Sequence, residues 1–219
     1  EFVTDRQDVK YHTCKDEKDL LLRFIDLWIS IYPDVITGWN VKFYDIPYLV
    51  NRIAKLFGDK IARKLSPWGI IFEKTTSVMN KPQKSFDISG IMILDYMELF
   101  RKFAKEGASQ ESYTLDNIAF VEIGEYDSLS ELHEKDHQKF ILYNLRDVDL
   151  VDKIDNRLRL IQLAVTTAYS SLVNYDDVFA QTRMWTSIIY NHLRKKNVQI
   201  LYKAENIKVE AYEGAYVKQ

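Results

Sequence analysis

The sequence predicts an α/β layered domain followed by a helical region, and three patterns carry that prediction. Apolar residues recur at helical spacing on either side of short, unbroken apolar runs. The elements run helix, strand, helix, strand, helix, an order that favours layers of helix on sheet. From Asp136 to Lys196 the periodicity is helical throughout, with strand character returning only at Val198.

Between Asp16 and Ile31 the apolar positions Leu20, Leu21, Phe24, Ile25, Leu27, Trp28 and Ile31 mark one helix face, with acidic residues at the front. Pro33 and Asp34 stop that helix, and Val35 to Trp39 reads as a short buried strand. A second helix is expected from Asp45, with Pro47 in its first turn and Gly58 closing it. Trp68 to Ile88 reads as a hairpin or irregular sheet. Ile91 to Asp95 reads as a strand that feeds a helix through Phe103, and Tyr113 to Phe120 as a further helix. Gly124 to Leu132 is expected to be a surface loop, Asp136 to Leu163 a long helix or a helix pair, and Ala164 to Lys196 helical.

The composition is that of a globular chain: 219 residues, 47% hydrophobic, with a formal net charge of −2. That balance is less basic than a free-standing DNA binder usually needs, because phosphate contacts drive its affinity. It suits a cleft in which carboxylates gather around metal ions. The single cysteine, Cys14, excludes an intrachain disulfide and a multi-cysteine zinc site. His12, His133, His137 and His192 show no metal spacing. No apolar run is long enough to span a membrane, so no membrane partner is expected. The chain opens on Glu1 without a methionine or a signal peptide and reads as an internal segment.

Two constellations carry chemistry. In Gly38-Trp39-Asn40-Val41-Lys42-Phe43-Tyr44-Asp45-Ile46-Pro47-Tyr48 a strand ends, a polar residue and aromatics follow, and a carboxylate stands where a helix begins. A helix N-terminus stabilises an anion, so Asp45 is expected to stay deprotonated and able to bind a metal, unless it is simply an N-cap. In Tyr143-Asn144-Leu145-Arg146-Asp147 a phenol and a carboxylate four residues apart share one helix face. Such a pair can orient water and hold a divalent ion, or can be an ordinary surface helix whose Tyr packs and whose Asp is solvated. Asp95, at the end of the later strand, reads as a helix N-cap. The basic residues Lys55, Lys60, Arg63, Lys64 and Arg194-Lys195-Lys196 read as solvated helix ends.

Together the two constellations resemble the second and third motifs of the 3′–5′ proofreading exonuclease of family B DNA polymerases, most closely the T-even-type bacteriophage enzymes. Leu65-Ser66-Pro67, Ile93-Leu94-Asp95-Tyr96 with Leu99 to Phe103, Ser112-Tyr113-Thr114-Leu115 and Thr186 to Asn191 fall in the expected order. Tyr212-Glu213-Gly214-Ala215-Tyr216-Val217 resembles the segment that joins exonuclease and polymerase regions.

The resemblance implies a ribonuclease H-like exonuclease domain, incomplete because its early strands are missing, over residues 1–160. A helical connector over residues 161–219 would lead toward the polymerase palm. It implies two Mg²⁺ or Mn²⁺ ions, Asp45 and Asp147 as metal ligands, and Tyr143 as the residue that orients the nucleophilic water. Leu142 stands where related exonucleases carry a histidine. Asn40 and Tyr44 are the implied contacts to a single-stranded 3′ end, and Tyr212 and Gly214 those to template. The implied partners are primer-template DNA, the rest of a polymerase chain and a sliding clamp. The implied location is cytoplasmic, the host cytoplasm if phage-encoded.

The family's first motif, Asp-x-Glu on an early strand, has no counterpart before Asn40. By itself this chain is therefore expected to be a very weak or inactive nuclease within a parent that proofreads and polymerises. Two other readings stay open on the residues: a stand-alone ribonuclease H-like exonuclease, and a non-catalytic interaction module that keeps the fold without the chemistry.

Overall fold

The computed structural model describes residue 2 and residues 4–78, 81–104, 110–124 and 137–200. Helix α1 (Glu17–Ile31) begins where the Asp16 carboxylate accepts from the Asp19 amide at 2.8 Å and ends at Tyr32 in the left-handed region. Strand β1 (Val35–Gly38) follows, then α2 (Asp45–Phe57), closed at Gly58 as its spacing predicts, and the short α3 (Asp59–Ala62). A 3-10 turn at Arg63–Leu65 leads to the hairpin β2 (Ile71–Val78) and β3 (Lys81–Ile88). Next come β4 (Met92–Asp95), α4 (Tyr96–Phe103) and α5 (Leu115–Ile123). Helix α6 (His137–Leu158), α7 (Leu160–Ser171), a 3-10 helix at Tyr175–Phe179 and α8 (Gln181–Lys195) complete the described chain.

The expected hairpin over Trp68 to Ile88 is a regular antiparallel pair running from Ile71 opposite Ile88 to Val78 opposite Lys81. The expected helix from Tyr113 starts later, because Tyr113 and the N-cap Thr114 lie outside it, and it runs on to a cap at Gly124. Residues 125–136 and 201–219, which include most of the expected loop and most of the strand-like tail, lie outside the described residues.

Of the span expected as a long helix or a helix pair, the described residues 137–163 form a pair, α6 and the start of α7. Arg159 takes a left-handed φ of 55°, and the amide of Ile161 donates to Asp155 Oδ1 at 3.1 Å. That bond satisfies a donor the helix break would otherwise orphan.

Two apolar clusters hold the layers together. Leu94, Tyr96, Leu99 and Phe100 pack with Ile118, Leu150, Ile154, Leu160 and Ala164, joining α4 to α5, α6 and α7. Leu21, Ile25, Val41, Ile46, Val50, Ile53 and Ile88 join α1, α2 and the hairpin. Ile53 and Leu94 are both fully enclosed. Burial of each such side chain favours folding by roughly 1.5–3 kcal/mol.

Candidate functional site

Strands β1 and β4 pair in parallel, with Gly38 opposite Asp95. Their carboxyl ends therefore lie side by side, the position at which open α/β sheets present ligand-binding loops. The chain leaves β1 through Trp39 and Asn40. Asn40 adopts a left-handed φ of 61°, a conformation that asparagine tolerates better than most residues. Its carbonyl accepts from the amides of Phe43 at 3.3 Å and Tyr44 at 3.1 Å, which closes the turn over the strand end.

Asp95 fixes that turn from the neighbouring strand. Its Oδ1 accepts from the amides of Met97 at 3.0 Å and Glu98 at 3.3 Å, the N-cap predicted for it. Its Oδ2 accepts from the Lys42 amide at 3.0 Å, so one fully buried carboxylate caps α4 and pins the β1–α2 turn. Burial pushes the Asp95 carboxyl above its ordinary range, against the three amides that draw it down. Lys42 Nζ reaches Glu98 at 2.8 Å and ties the same two segments a second time.

Asp45 is the first residue of α2, not its cap. The cap position belongs to Tyr44, which makes no side-chain cap bond. The Asp45 carboxyl feels desolvation as well as the helix start. Desolvation by the packed turn raises its carboxyl above the ordinary value, and the bond from its own amide offsets only part of that. Tyr44 is exposed, and Asn40 is half-buried in the same turn.

Tyr143 and Asp147 sit on successive turns of α6, both half-buried. The structure thus brings Asn40, Tyr44 and Asp45 together in one turn, and Tyr143 and Asp147 together on one helix. Tyr212 and Gly214 lie outside the described residues.

Hard carboxylate oxygens are the right donors for Mg²⁺ or Mn²⁺. Among the described residues, however, no group of three or more acidic, histidine or cysteine side chains could hold a metal ion. Asp45 and Asp147 match the donor chemistry of such ions but are too few to make a complete cage.

Sequence reasoning missed how the turn is anchored. Trp39 Nε1 donates to the Tyr113 carbonyl at 3.0 Å, and the Arg101 guanidinium lies 3.9 Å from the centre of the Tyr113 ring. The Trp39 ring packs on Tyr96 at 6.2 Å and on Phe100 at 6.1 Å between centroids. The only signal in the sequence was aromatic residues directly after two strand ends.

Parallel strands whose ends carry an acidic turn, followed by a helix with a Tyr and Asp four apart, define an α/β domain with a candidate site at its strand ends. Residues 3–118 match the family described as DNA polymerase family B, exonuclease domain, and the chain belongs to that family. It is 35% identical over 214 residues to the DNA-directed DNA polymerase of Escherichia phage RB69, covering 95% of this chain and 23% of that protein. It is 31% identical over 220 residues to the DNA-directed DNA polymerase of Enterobacteria phage T4, covering 98% of this chain and 24% of that one. A DNA polymerase delta catalytic subunit from Caenorhabditis elegans is 24% identical over 224 residues, 93% of this chain and 20% of that protein. The chain therefore spans about a quarter of the length of these phage relatives. Helix α6 lies beyond the family match, while the phage polymerases align over nearly the whole chain.

Proposed function

We propose that this chain is the proofreading part of a replicative DNA polymerase, a ribonuclease H-like domain that removes the 3′-terminal nucleotide of DNA by hydrolysis. What supports the reading most directly is the Asn40–Asp45 turn. It falls inside the family-matched segment, stands at the joined ends of two parallel strands, and is locked by Asp95. In this reading residues 1–160 form the exonuclease region and residues 161–219 the connector toward the polymerase palm.

Asp45 and Asp147 are the two ligands this chain contributes to a pair of Mg²⁺ or Mn²⁺ ions, with the remainder from an Asp-x-Glu strand upstream. Bound there, such ions supply charge stabilisation at the phosphate and a water of lowered pKa. The chain's own residues do the rest. Tyr143, one helical turn from Asp147, holds a water by its hydroxyl. Exposed Tyr44 offers a ring on which a terminal base stacks, and Asn40 offers an amide to the sugar or base edge. Stacking and polar grip of this kind tolerate any base, as a proofreading site requires. Tyr212 and Gly214 contact the template strand, and the partners are primer-template DNA, the rest of the polymerase and a sliding clamp.

The test is made in the full-length natural polypeptide. Asp45→Ala and Asp147→Ala each slow trimming of a mismatched 3′ end by at least about a hundredfold, the scale of losing an electrostatic stabiliser, while DNA synthesis continues. Trimming at the wild-type rate in both variants rules out these ligands.

A further inference from the structure

Two groups of site residues lie on separate elements, the turn before α2 and the face of α6. One buried side chain touches both elements, though none of the site residues themselves. The Tyr96 ring packs against Trp39, the first residue of the turn, with centroids 6.2 Å apart. Its hydroxyl donates to Asp155 Oδ1 of α6 at 3.1 Å. Tyr96 is fully enclosed, and its neighbour Asp95 is the carboxylate that holds the Lys42 amide of the same turn.

We propose that Tyr96 is a positioning residue that sets α6, and with it Tyr143 and Asp147, against the turn that carries Asp45. The proposal rests on the reading of the site given above. Apolar packing of Leu150 and Ile154 already docks α6 on the core. Such packing is non-directional and by itself specifies the roll of the helix less sharply than a hydrogen bond does, with its defined donor, acceptor and angle.

Asp155 lies eight residues beyond Asp147 on the same helix, about 12 Å along its axis at the rise of an α-helix. A rotation fixed at Asp155 is thus carried to Asp147 by a rigid rod. Asp155 is itself braced, because the same oxygen accepts from the Ile161 amide at 3.1 Å. Burial and the negative Asp155 push ionisation of the Tyr96 phenol far above its ordinary value, so the hydroxyl stays a donor at any working pH. Two ion pairs also reach α6, Arg6 with Asp149 and the longer Arg157 with Glu122 at 3.8 Å; their arginines are exposed, so salt screens them more than it does the enclosed Tyr96 hydroxyl.

Tyr96→Phe isolates the tether. It keeps the ring, the contact with Trp39 and the bond from Ile161 to Asp155, and removes only the hydroxyl. In the full-length natural polypeptide, single-turnover trimming of single-stranded DNA is expected to slow by about tenfold to a hundredfold, since small misplacements of reacting groups cost that much. Affinity for the same DNA stays within about twofold, as for a change in kcat and not in KM. Amide hydrogen exchange over residues 137–158 speeds up by about tenfold, reporting a loosened α6. Ile53→Val, in the other apolar cluster, serves as a control for stability alone and leaves both trimming and α6 exchange as they are.

Wild-type trimming with unchanged α6 exchange in Tyr96→Phe overturns the proposal, and so does equal slowing by Ile53→Val. If trimming survives Asp147→Ala, the reading of the site fails first. The exchange measurement then decides the tether by itself: faster exchange in Tyr96→Phe retains it and unchanged exchange removes it.

Discussion

The backbone amide of Lys42 donates to Asp95 Oδ2 at 3.0 Å, joining two residues 53 positions apart in the chain. The bond turns a helix cap into a clamp on the segment that presents Asp45. Three amides depend on this one buried carboxylate. Asp95→Ala is therefore expected to destabilise the protein by about 2–4 kcal/mol, combining a lost cap with orphaned buried donors. Chemical denaturation measures this directly. A midpoint within experimental error of wild type would mean that the turn holds without the clamp.

Gly90 lies in the turn between the hairpin and β4 with a φ of 92°, and a Cβ built there would stand 2.5 Å from Pro67 Cγ. Both the backbone conformation and the space require glycine. Gly90→Ala should cost about 1–3 kcal/mol. Gly58, Gly69 and Gly124 also have positive φ but meet nothing within 4 Å, so alanine there should cost less. Thermal melts of the four variants, ranked against each other, check the prediction.

Asp176 tests the electrostatics of the cleft between the hairpin and the 3-10 helix at Tyr175–Phe179. Desolvation first, then the negative charges of Asp177 and Asp87, raise its carboxyl above the ordinary 3.8, and Lys74 pulls it back in part. A folded carboxyl with a raised pKa binds its proton more tightly than the unfolded chain does. Its contribution to stability is full below the unfolded value and is lost as pH rises through the folded value. Asp176→Asn should therefore stabilise the protein at pH 7, by no more than about 0.5 kcal/mol at so exposed a position. The advantage should shrink toward zero as the pH falls below the ordinary carboxylate range. Melting curves across that interval give the answer, and an advantage that grows in acid would contradict it.

The order of elements was legible in the chain because hydrophobic period follows directly from which face is buried. α1, α2, α4 and both strands of the hairpin stand close to where apolar spacing, Pro33, Gly58 and the polar turn residues put them. The residue types of the candidate site were equally legible: an acidic turn after a strand, and a Tyr and Asp four apart on a helix. The break at Arg159 was not, since nothing in its local sequence forces a left-handed residue there; the bonds that Asp155 accepts from Ile161 and Tyr96 support it.

The sequence by itself determined which residues are chemically able to act, because identity and local spacing fix charge, donors and helix face. Only the tertiary structure decided how they are held. Asp95 reaching Lys42, Trp39 reaching the Tyr113 carbonyl and Tyr96 reaching Asp155 all span more than fifty residues. Contacts of that kind leave no local period to read, since they exist only once two separately formed layers have packed together and fixed the direction of each polar group.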